Sequence, residues 1–334
     1  MILHQSSDAF RDAVEATAQS LRLRPIFVEK DYWIVYVLKK LAASEFADKV
    51  IFKGGTSLSK AYQCIQRFSE DIDLAILSPG DYSGNQLSKL IKSVEVCITK
   101  GMTYQPGHVQ EKKFGRNRST VYAYERFLEE KDFGVVKDYI LLEINCLTNP
   151  VPHETKPIQT YIGQYLNSSG YPDAIAEYEL EPFDVKVLSL RRTLFEKVLS
   201  LNRLSYDGIA KLVEKARHYY DIHQLCQHPD LKDDLLNNAD FGILKKALED
   251  DHANETMAGN WKGNPLSSSP LLADLESTWN KVAPGYTSNL QGLIWEGNLP
   301  EQDQILATLK RIRTFIFSFD EEQKSQVSKP LNYT

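Results

Sequence analysis

Hydrophobic and polar positions along the first half of the chain follow two different periods. Apolar residues at helical spacing predict amphipathic helices over residues 7–23, 28–41 and 87–98. Short apolar, β-branched or aromatic runs predict strands over residues 50–52, 72–77, 119–127 and 136–147. This half therefore mixes strands and helices.

The pattern changes after Pro182, where helical periodicity takes over. Helices are predicted over residues 185–204, 208–227, 270–283 and 301–319. A chain of 334 residues is long enough for two domains. We therefore expect an α+β domain over residues 1–182 and a mostly helical domain over residues 183–334.

Composition narrows the class of protein. With 42% hydrophobic and 25% charged residues, the chain can bury a sizeable core. A net charge of −6 argues against wholesale coating of nucleic acid, so any contact with a polyanion needs a local basic patch. The four cysteines are scattered, the first residues soon turn polar, and no apolar stretch approaches the ~20 residues of a membrane span. We expect a cytoplasmic protein with reduced thiols and no membrane segment.

A glycine pair marks the end of the first predicted strand. Gly54 and Gly55 follow Phe52-Lys53, and Leu58, Ala61, Tyr62 and Ile65 then recur at helical spacing. Glycine lets a backbone approach a ligand closely, and a helix N-terminus offers free N–H groups to phosphate. Thr56 or Ser57 is expected to cap this helix and to contact a phosphate oxygen.

The next predicted strand carries two carboxylates. Because strand side chains alternate, Asp71 and Asp73 are expected on one face. Adjacent carboxylates repel unless a cation lies between them, and oxygen ligands completed by substrate phosphates suit Mg²⁺. Alone, however, this pattern is also common in surface turns.

A third carboxylate lies in an apolar strand. Glu143 falls on the face opposite Ile140, Leu142 and Ile144. It is either a surface residue of an edge strand or a partner of Asp71 and Asp73 across the sheet. A P-loop is excluded because Ser59 replaces the glycine required before Lys60, and a glycosyltransferase Asp-x-Asp site lacks the preceding Gly-Gly.

Together these motifs resemble a known family. The runs Gly54–Leu58 and Arg67–Leu74 resemble the minimal nucleotidyltransferase motif, and more closely the AbiEii/AbiGii toxin family of nucleotidyltransferases. Residues 28–32 are similar to its N-terminal pattern, and the resemblance covers roughly residues 25–225. It implies a mixed sheet with flanking helices, in which Asp71, Asp73 and Glu143 bind Mg²⁺ or Mn²⁺ and Gly54, Gly55, Thr56 and Ser57 bind the nucleotide.

Two residues of the helical half match further family motifs. Lys197 lies on an apolar helical stripe, so it is either a snorkelling surface lysine or a functional cation. The resemblance implies that Lys197 faces the nucleotide phosphates. Asp221 lies four residues after Arg217, which also allows a plain helical ion pair. The resemblance implies that Asp221 orients Lys197 or contacts the acceptor.

The implied activity is transfer of a nucleoside monophosphate from a nucleoside triphosphate (NTP) to an acceptor hydroxyl. The family implies the toxin of a type IV toxin–antitoxin or abortive-infection system, with RNA such as a tRNA 3′ end as acceptor and an AbiEi-like antitoxin as partner. The basic segment 112–118 either guides such an acceptor or forms a solvated hairpin tip. Alternatives are transfer to a small molecule or protein, and a catalytically silent scaffold that binds nucleotide or antitoxin.

Overall fold

The computed structural model describes residues 1–77, 82–128, 136–232, 241–295 and 297–327. It divides into two compact units, Met1–Ser189 and Leu190–Thr334. The predicted division after residue 182 falls just before the last strand of the first unit. Each unit is built differently, and the expected mixed sheet with helices, followed by a helical second half, is confirmed.

The first unit contains one eight-stranded mixed sheet. Its strands are β1 (Val50–Lys53), β2 (Ile72–Ile76), β3 (Thr103–Tyr104), β4 (Lys112–Phe114), β5 (Asn117–Ala123), β6 (Ile140–Asn145), β7 (His153–Ile158) and β8 (Phe183–Leu188). Their order is β3-β5-β6-β2-β1-β8-β7, and β4 also pairs with β5. The helices of the first unit are α1 (Ser7–Leu21), α2 (Pro25–Ala42), α3 (Gly54–Lys60), α4 (Gly84–Ile98), α5 (Tyr161–Ser168) and α6 (Pro172–Glu177).

One face of this sheet is buried in the hydrophobic core. Ile140, Leu142 and Ile144 of β6 alternate into it, as their spacing predicts. The same core contains apolar side chains of the helices, among them Phe10 and Val14 of α1, Val37 and Leu41 of α2, and Ile91 and Val94 of α4. This face is filled mainly by hydrocarbon, and Asp73 and Glu143, which alternate with its apolar residues, lie on the opposite face.

The second unit is helical in its described part. Its helices are α7 (Leu190–Leu204), α8 (Ile209–Glu214), α9 (Ala216–Gln227), α10 (Pro229–Lys232), α11 (Phe241–Ala253), α12 (Pro270–Ala273), α13 (Leu275–Leu290) and α14 (Gln302–Val327). Aromatic contacts join them: Phe195 stacks on Phe315 with ring centroids 5.5 Å apart, and Tyr219 contacts Trp279. Among the described residues, no helix is both long and apolar enough to span a bilayer.

Two sequence predictions need correction in the first unit and at its end. Residues 185–188 belong to strand β8 rather than to a long helix, and the helix begins only at Leu190. Val185 and Val187 alternate with polar neighbours and are buried, which is a strand pattern that the long helical stripe after them concealed.

The helix after the glycine pair is also shorter than its apolar stripe predicts. It ends at Lys60, because Gln63 adopts a left-handed backbone with φ of 51° and the Cys64 N–H returns to the Leu58 carbonyl. Its N-cap residue is Lys53, which makes no side-chain capping bond. The predicted caps, Thr56 and Ser57, lie inside the first turn instead.

Candidate active site

Two of the three predicted carboxylates, Asp73 and Glu143, lie in one row that crosses the sheet. The backbone register pairs Lys53 of β1 with Asp73 of β2, and Asp73 with Glu143 of β6. It then pairs Glu143 with Ser119 of β5. Because directly paired residues present their side chains to the same face, these four side chains are neighbours. The expected pairing of Glu143 with the Asp71–Asp73 strand is confirmed.

Asp73 and Glu143 form a like-charge contact. The pKa of the Asp73 carboxyl is raised, first by burial, then by the negative charges of Glu143 and Asp71, and by a hydrogen bond to Glu143. Lys53 acts in the opposite direction, but its effect is smaller. Ser119 Oγ donates a hydrogen bond of 2.8 Å to Glu143 Oε1. Burial and the neighbouring negative charges therefore favour the protonated form of Asp73 more than Lys53 opposes it.

Gly54 is required by Asp73. A Cβ atom at Gly54 would lie 2.0 Å from Asp73 Oδ2 and 2.7 Å from Asp73 Cγ, and the Gly54 backbone has a φ of +78°. Both the contact and the left-handed backbone exclude any other residue without rearrangement. Sequence reasoning assigned this glycine to close approach by a ligand, whereas here it admits the carboxylate of a neighbouring strand.

The remaining residues of the glycine turn are held from within the protein. A Cβ atom at Gly55 would meet Arg67 Nη2 at 2.5 Å and Ser69 Oγ at 2.7 Å. Thr56 Oγ1 donates a 2.5 Å hydrogen bond to the Asp71 carbonyl, and Ser57 Oγ donates to the Gly54 carbonyl at 2.9 Å. Both hydroxyls are buried. They fix the turn against Asp71, and their contact with a phosphate stays a prediction.

Asp71 has a cationic partner that the sequence did not suggest. Lys137 Nζ lies 2.6 Å from Asp71 Oδ1, and the Lys137 N–H donates to Glu70 Oε2 at 2.8 Å. The fully buried Lys30 of α2 holds the same segment, since its Nζ donates to the Lys137 and Tyr139 carbonyls. Burial lowers the pKa of Lys30 to about 8, while Glu70 at 3.4 Å raises it in part.

Helix α2 contributes three consecutive buried charged residues, each with a different partner. Glu29 Oε1 accepts from the Phe127 N–H at 2.7 Å, and Lys30 contacts Glu70. Asp31 Oδ1 lies 2.6 Å from Lys60 Nζ at the end of α3. This run explains the mixed helical stripe of α2. It couples the helix to the glycine turn and to the segment beside Asp71.

Lys197 and Asp221 lie in the second unit and pair with each other. Lys197 Nζ of α7 is 2.9 Å from Asp221 Oδ2 of α9, with side-chain exposures of 9% and 0%. Lys197 is therefore a buried cation rather than a snorkelling surface residue, and Asp221 holds its charged end. Their action on a nucleotide stays a prediction.

The carboxylates fit a divalent cation that shares its ligands with a substrate. In the described ranges, no group of three or more His, Cys, Asp and Glu side chains is close enough to enclose a metal ion. Mg²⁺ ordinarily uses one or two carboxylates together with substrate phosphates. The Asp73–Glu143 pair supplies two such oxygen ligands, and a cation would remove the repulsion that raises the pKa of Asp73.

Several residues around this site carry no motif in the sequence. Ser119 becomes a neighbour of Glu143 only through strand pairing, and Lys137 reaches Asp71 from 66 positions away. The only sequence signal was the polar run 29–31 inside an otherwise apolar helix. Charged residues are rarely buried without a partner, so such a run indicates partners elsewhere in the chain.

The mixed sheet, with adjacent carboxylates beside a Gly-Gly turn, agrees with the nucleotidyltransferase motif expected from the sequence. The family model described as "Nucleotidyl transferase AbiEii toxin, Type IV TA system" matches residues 36–314, and the chain belongs to this family. It is thus a nucleotidyltransferase toxin of a type IV toxin–antitoxin system. Membership implies an NTP substrate and an antitoxin partner.

Other comparisons add little to this assignment. No curated protein matches the chain. Among solved structures, it is similar to MenT4, a nucleotidyltransferase toxin from Mycobacterium tuberculosis, with 13% identity and a TM-score of 0.42. That similarity covers 92% of this chain and 98% of the other.

Proposed function

We propose that this chain transfers a nucleoside monophosphate from an NTP to the 3′ hydroxyl of an RNA, such as a tRNA, in a reaction that depends on Mg²⁺ or Mn²⁺. The antitoxin that restrains it would be an AbiEi-like protein, and the site of action the cytoplasm. Three carboxylates, Asp71, Asp73 and Glu143, are the proposed metal and catalytic residues.

The observation that carries this proposal is the contact between Asp73 and Glu143. Two carboxylates in register on neighbouring strands, where burial and the neighbouring negative charges raise the pKa of Asp73, favour binding of a cation. A stabilising structural pair would carry opposite charges. The arrangement is therefore better suited to a site completed by its ligands than to a scaffold.

The proposed chemistry is an in-line displacement at the α-phosphorus. The acceptor oxygen forms a bond to this phosphorus, the bond from phosphorus to the β-phosphate oxygen breaks, and pyrophosphate leaves. The acceptor proton passes to a carboxylate oxygen of the Asp73–Glu143 pair or to water. A cation held by Asp73 and Glu143 together with the substrate phosphates, with Asp71 as the proposed third carboxylate beside them, would neutralise phosphate charge and lower the pKa of the acceptor hydroxyl.

The remaining predicted site residues are proposed to bind the NTP and to orient the groups that bind it. The turn Gly54-Gly55-Thr56-Ser57 is proposed to bind the triphosphate, since positioning and charge neutralisation dominate phosphoryl chemistry. The family resemblance implies that the Lys197 ammonium group also faces nucleotide phosphates. Asp221 keeps the Lys197 ammonium in one orientation through their 2.9 Å contact. Lysine acts here as a point charge for phosphate.

The test is a labelling assay. The purified full chain is incubated with each NTP labelled at the α-phosphate, with Mg²⁺ or Mn²⁺ and total RNA. We expect label in RNA, at the 3′ end, and its loss with EDTA. Asp73→Asn, which keeps the shape of the side chain and removes its charge, is expected to abolish labelling.

Other distributions of label contradict the proposal in defined ways. Label confined to small metabolites or to protein would show that the acceptor is one of these and not RNA. Full labelling in EDTA would show that the reaction does not depend on a divalent metal ion. Full labelling by Asp73→Asn would remove the carboxylate pair from the mechanism, and binding of NTP without transfer to any fraction would favour a silent scaffold.

A further inference from the structure

The carboxylate face of the sheet continues beyond Ser119 to an exposed hairpin. Strands β4 and β5 form this hairpin, and their register pairs Lys112 with Ser119 and Phe114 with Asn117. Paired residues share a face, so Lys112 and Phe114 lie on the same face as Glu143. The row that begins with Asp73 and Glu143 thus ends, two strands later, on a cation. Strand spacing places it roughly 10 Å from Glu143.

The end of this face combines an exposed aromatic ring with unpaired cations. Phe114 is 67% exposed, more than the other exposed phenylalanine among the described residues, Phe317 at 42%. Lys112 and Arg116 are exposed, and neither forms an ion pair with any residue in the described ranges. In a chain with a net charge of −6, two uncompensated cations around an exposed ring form a distinct local patch.

The other face of the same hairpin shows the contrast. There, Lys113 lies 2.6 Å from Glu111, and Arg118 lies 2.7 Å from Glu95 of α4. The cations Lys113 and Arg118 are therefore neutralised by carboxylates, whereas Lys112, which lies on the carboxylate face of the sheet, has no ion-pair partner among the described residues. A hairpin tip exposed only for solubility would not require this division of charge between its faces.

We propose that Lys112, Phe114 and Arg116 form an acceptor platform, which binds the single-stranded RNA nucleotides immediately before the acceptor hydroxyl. Phe114 stacks on a base, and Lys112 and Arg116 contact phosphates. Aromatic stacking with flanking cations is how proteins bind single strands without reading their sequence. The inference rests on the proposed transfer to RNA and assigns the residues that hold this substrate.

The polar character of this sheet face favours RNA over a protein as the partner. Lys112 and Phe114 share one face with the carboxylates, and Ser119 and Asn117 on that face offer polar side chains rather than an apolar surface. A protein interface would need a larger apolar patch around Phe114. The negatively charged partner that matches both the free cations and the single ring is a nucleotide chain.

The test separates RNA binding from NTP use. Full-length wild type, Phe114→Ala and Lys112→Ala are titrated against a 5′-fluorescein oligoribonucleotide with a free 3′ hydroxyl, and KM values for RNA and for NTP are measured. Phe114→Ala is expected to weaken RNA affinity and to raise the RNA KM about tenfold. Lys112→Ala should reduce the slope of log affinity against log salt by about 0.7. The NTP KM stays unchanged.

Matched variants complete the design. Phe114→Tyr keeps an aromatic ring and should retain affinity. Lys92→Ala removes another exposed lysine, on α4, and should change nothing. Since the side chain of Phe114 is largely exposed, its variants are expected to fold, which thermal unfolding checks.

The outcomes distinguish this inference from the proposed function. If wild type labels RNA while Phe114→Ala and Lys112→Ala keep its RNA affinity and KM, the platform is wrong and the proposed function stands. If wild type labels no RNA, the proposed function fails, whatever the hairpin binds. If wild type labels a protein or a small molecule rather than RNA, and the variants lose that labelling, then the proposed transfer to RNA and the RNA platform are both wrong.

Discussion

Two pairs of charged side chains, one in each unit, are built on opposite principles. Asp73 and Glu143 carry like charges, and burial together with repulsion raises the pKa of Asp73. Lys197 and Asp221 carry opposite charges 2.9 Å apart and are both buried. The first pair is electrostatically incomplete without a cation or a proton, whereas the second already contains its counter-charge.

This difference separates residues that await a ligand from residues that are held in place. A like-charge pair costs folding free energy, so it is retained where a bound cation uses it. A buried ion pair is neutral as a unit, but each member depends on the other. The same type of substitution should therefore have opposite effects on the stability of the two regions.

The largest effect on stability is expected at Lys197. Lys197→Met removes the cation 2.9 Å from the buried Asp221 carboxylate and should lower the free energy of unfolding by about 3–5 kcal/mol, measured by urea denaturation. Lys211→Met, which breaks an exposed ion pair with Glu214, is the control and should leave the midpoint unchanged. Equal midpoints for the two variants would show that the buried pair does not stabilise the unit.

The carboxylate pair should respond in the opposite way. Asp73→Asn is expected to lower the transfer rate at least a hundredfold, about 3 kcal/mol, because it removes a proposed metal ligand. Its free energy of unfolding should equal or exceed that of wild type, since the repulsion of Glu143 is relieved. A destabilised Asp73→Asn protein would contradict the comparison.

The pH dependence sharpens this second prediction. The pKa of Asp73 is raised on folding, so its contribution to stability is complete below the unfolded pKa, about 3.9. That contribution is lost as the pH rises from there through the folded pKa. In EDTA, wild type should therefore lose stability relative to Asp73→Asn over this range. Parallel curves of unfolding free energy against pH for the two proteins would contradict a raised pKa of Asp73 in the folded state.

A divalent cation should stabilise the first region. At a concentration of 100 times Kd, Mg²⁺ or Mn²⁺ is expected to add about 2.7 kcal/mol to the free energy of unfolding. Differential scanning calorimetry measures the shift in melting temperature. Glu143→Gln should abolish the shift, and Lys211→Met should keep it. A shift that survives in Glu143→Gln would locate the cation elsewhere.

The smallest effect is expected at Ser119, which positions Glu143. Ser119→Ala removes the 2.8 Å hydrogen bond to Glu143 Oε1 and should weaken apparent metal affinity about tenfold, as loss of a partner behind a ligand usually does. Titration of activity against Mn²⁺ measures it. Ser93→Ala, exposed on α4, is the matched control. Unchanged Mn²⁺ affinity would show that Ser119 does not position Glu143 for the metal.

Much of the architecture was predictable from local patterns. Alternation along β6 separated Glu143 from Ile140, Leu142 and Ile144, and the structure buries the apolar set. The strand at residues 183–188 was missed because two valines carry a short period-2 signal beside a long helical one. Period and length are properties of consecutive residues, so they are readable where one period dominates.

The sequence by itself determined that a mixed half precedes a helical half and that Glu143 lies opposite the apolar residues of its strand, because periodicity is local. The roles of Asp71, Asp73 and Glu143 in a metal site stay predictions. Only the tertiary structure decided that Gly54 makes room for Asp73, that Lys137 pairs with Asp71 and that Lys112 continues the carboxylate row. These facts depend on strand register and on contacts between distant segments. Register follows from the packing of the whole sheet, which no single segment encodes.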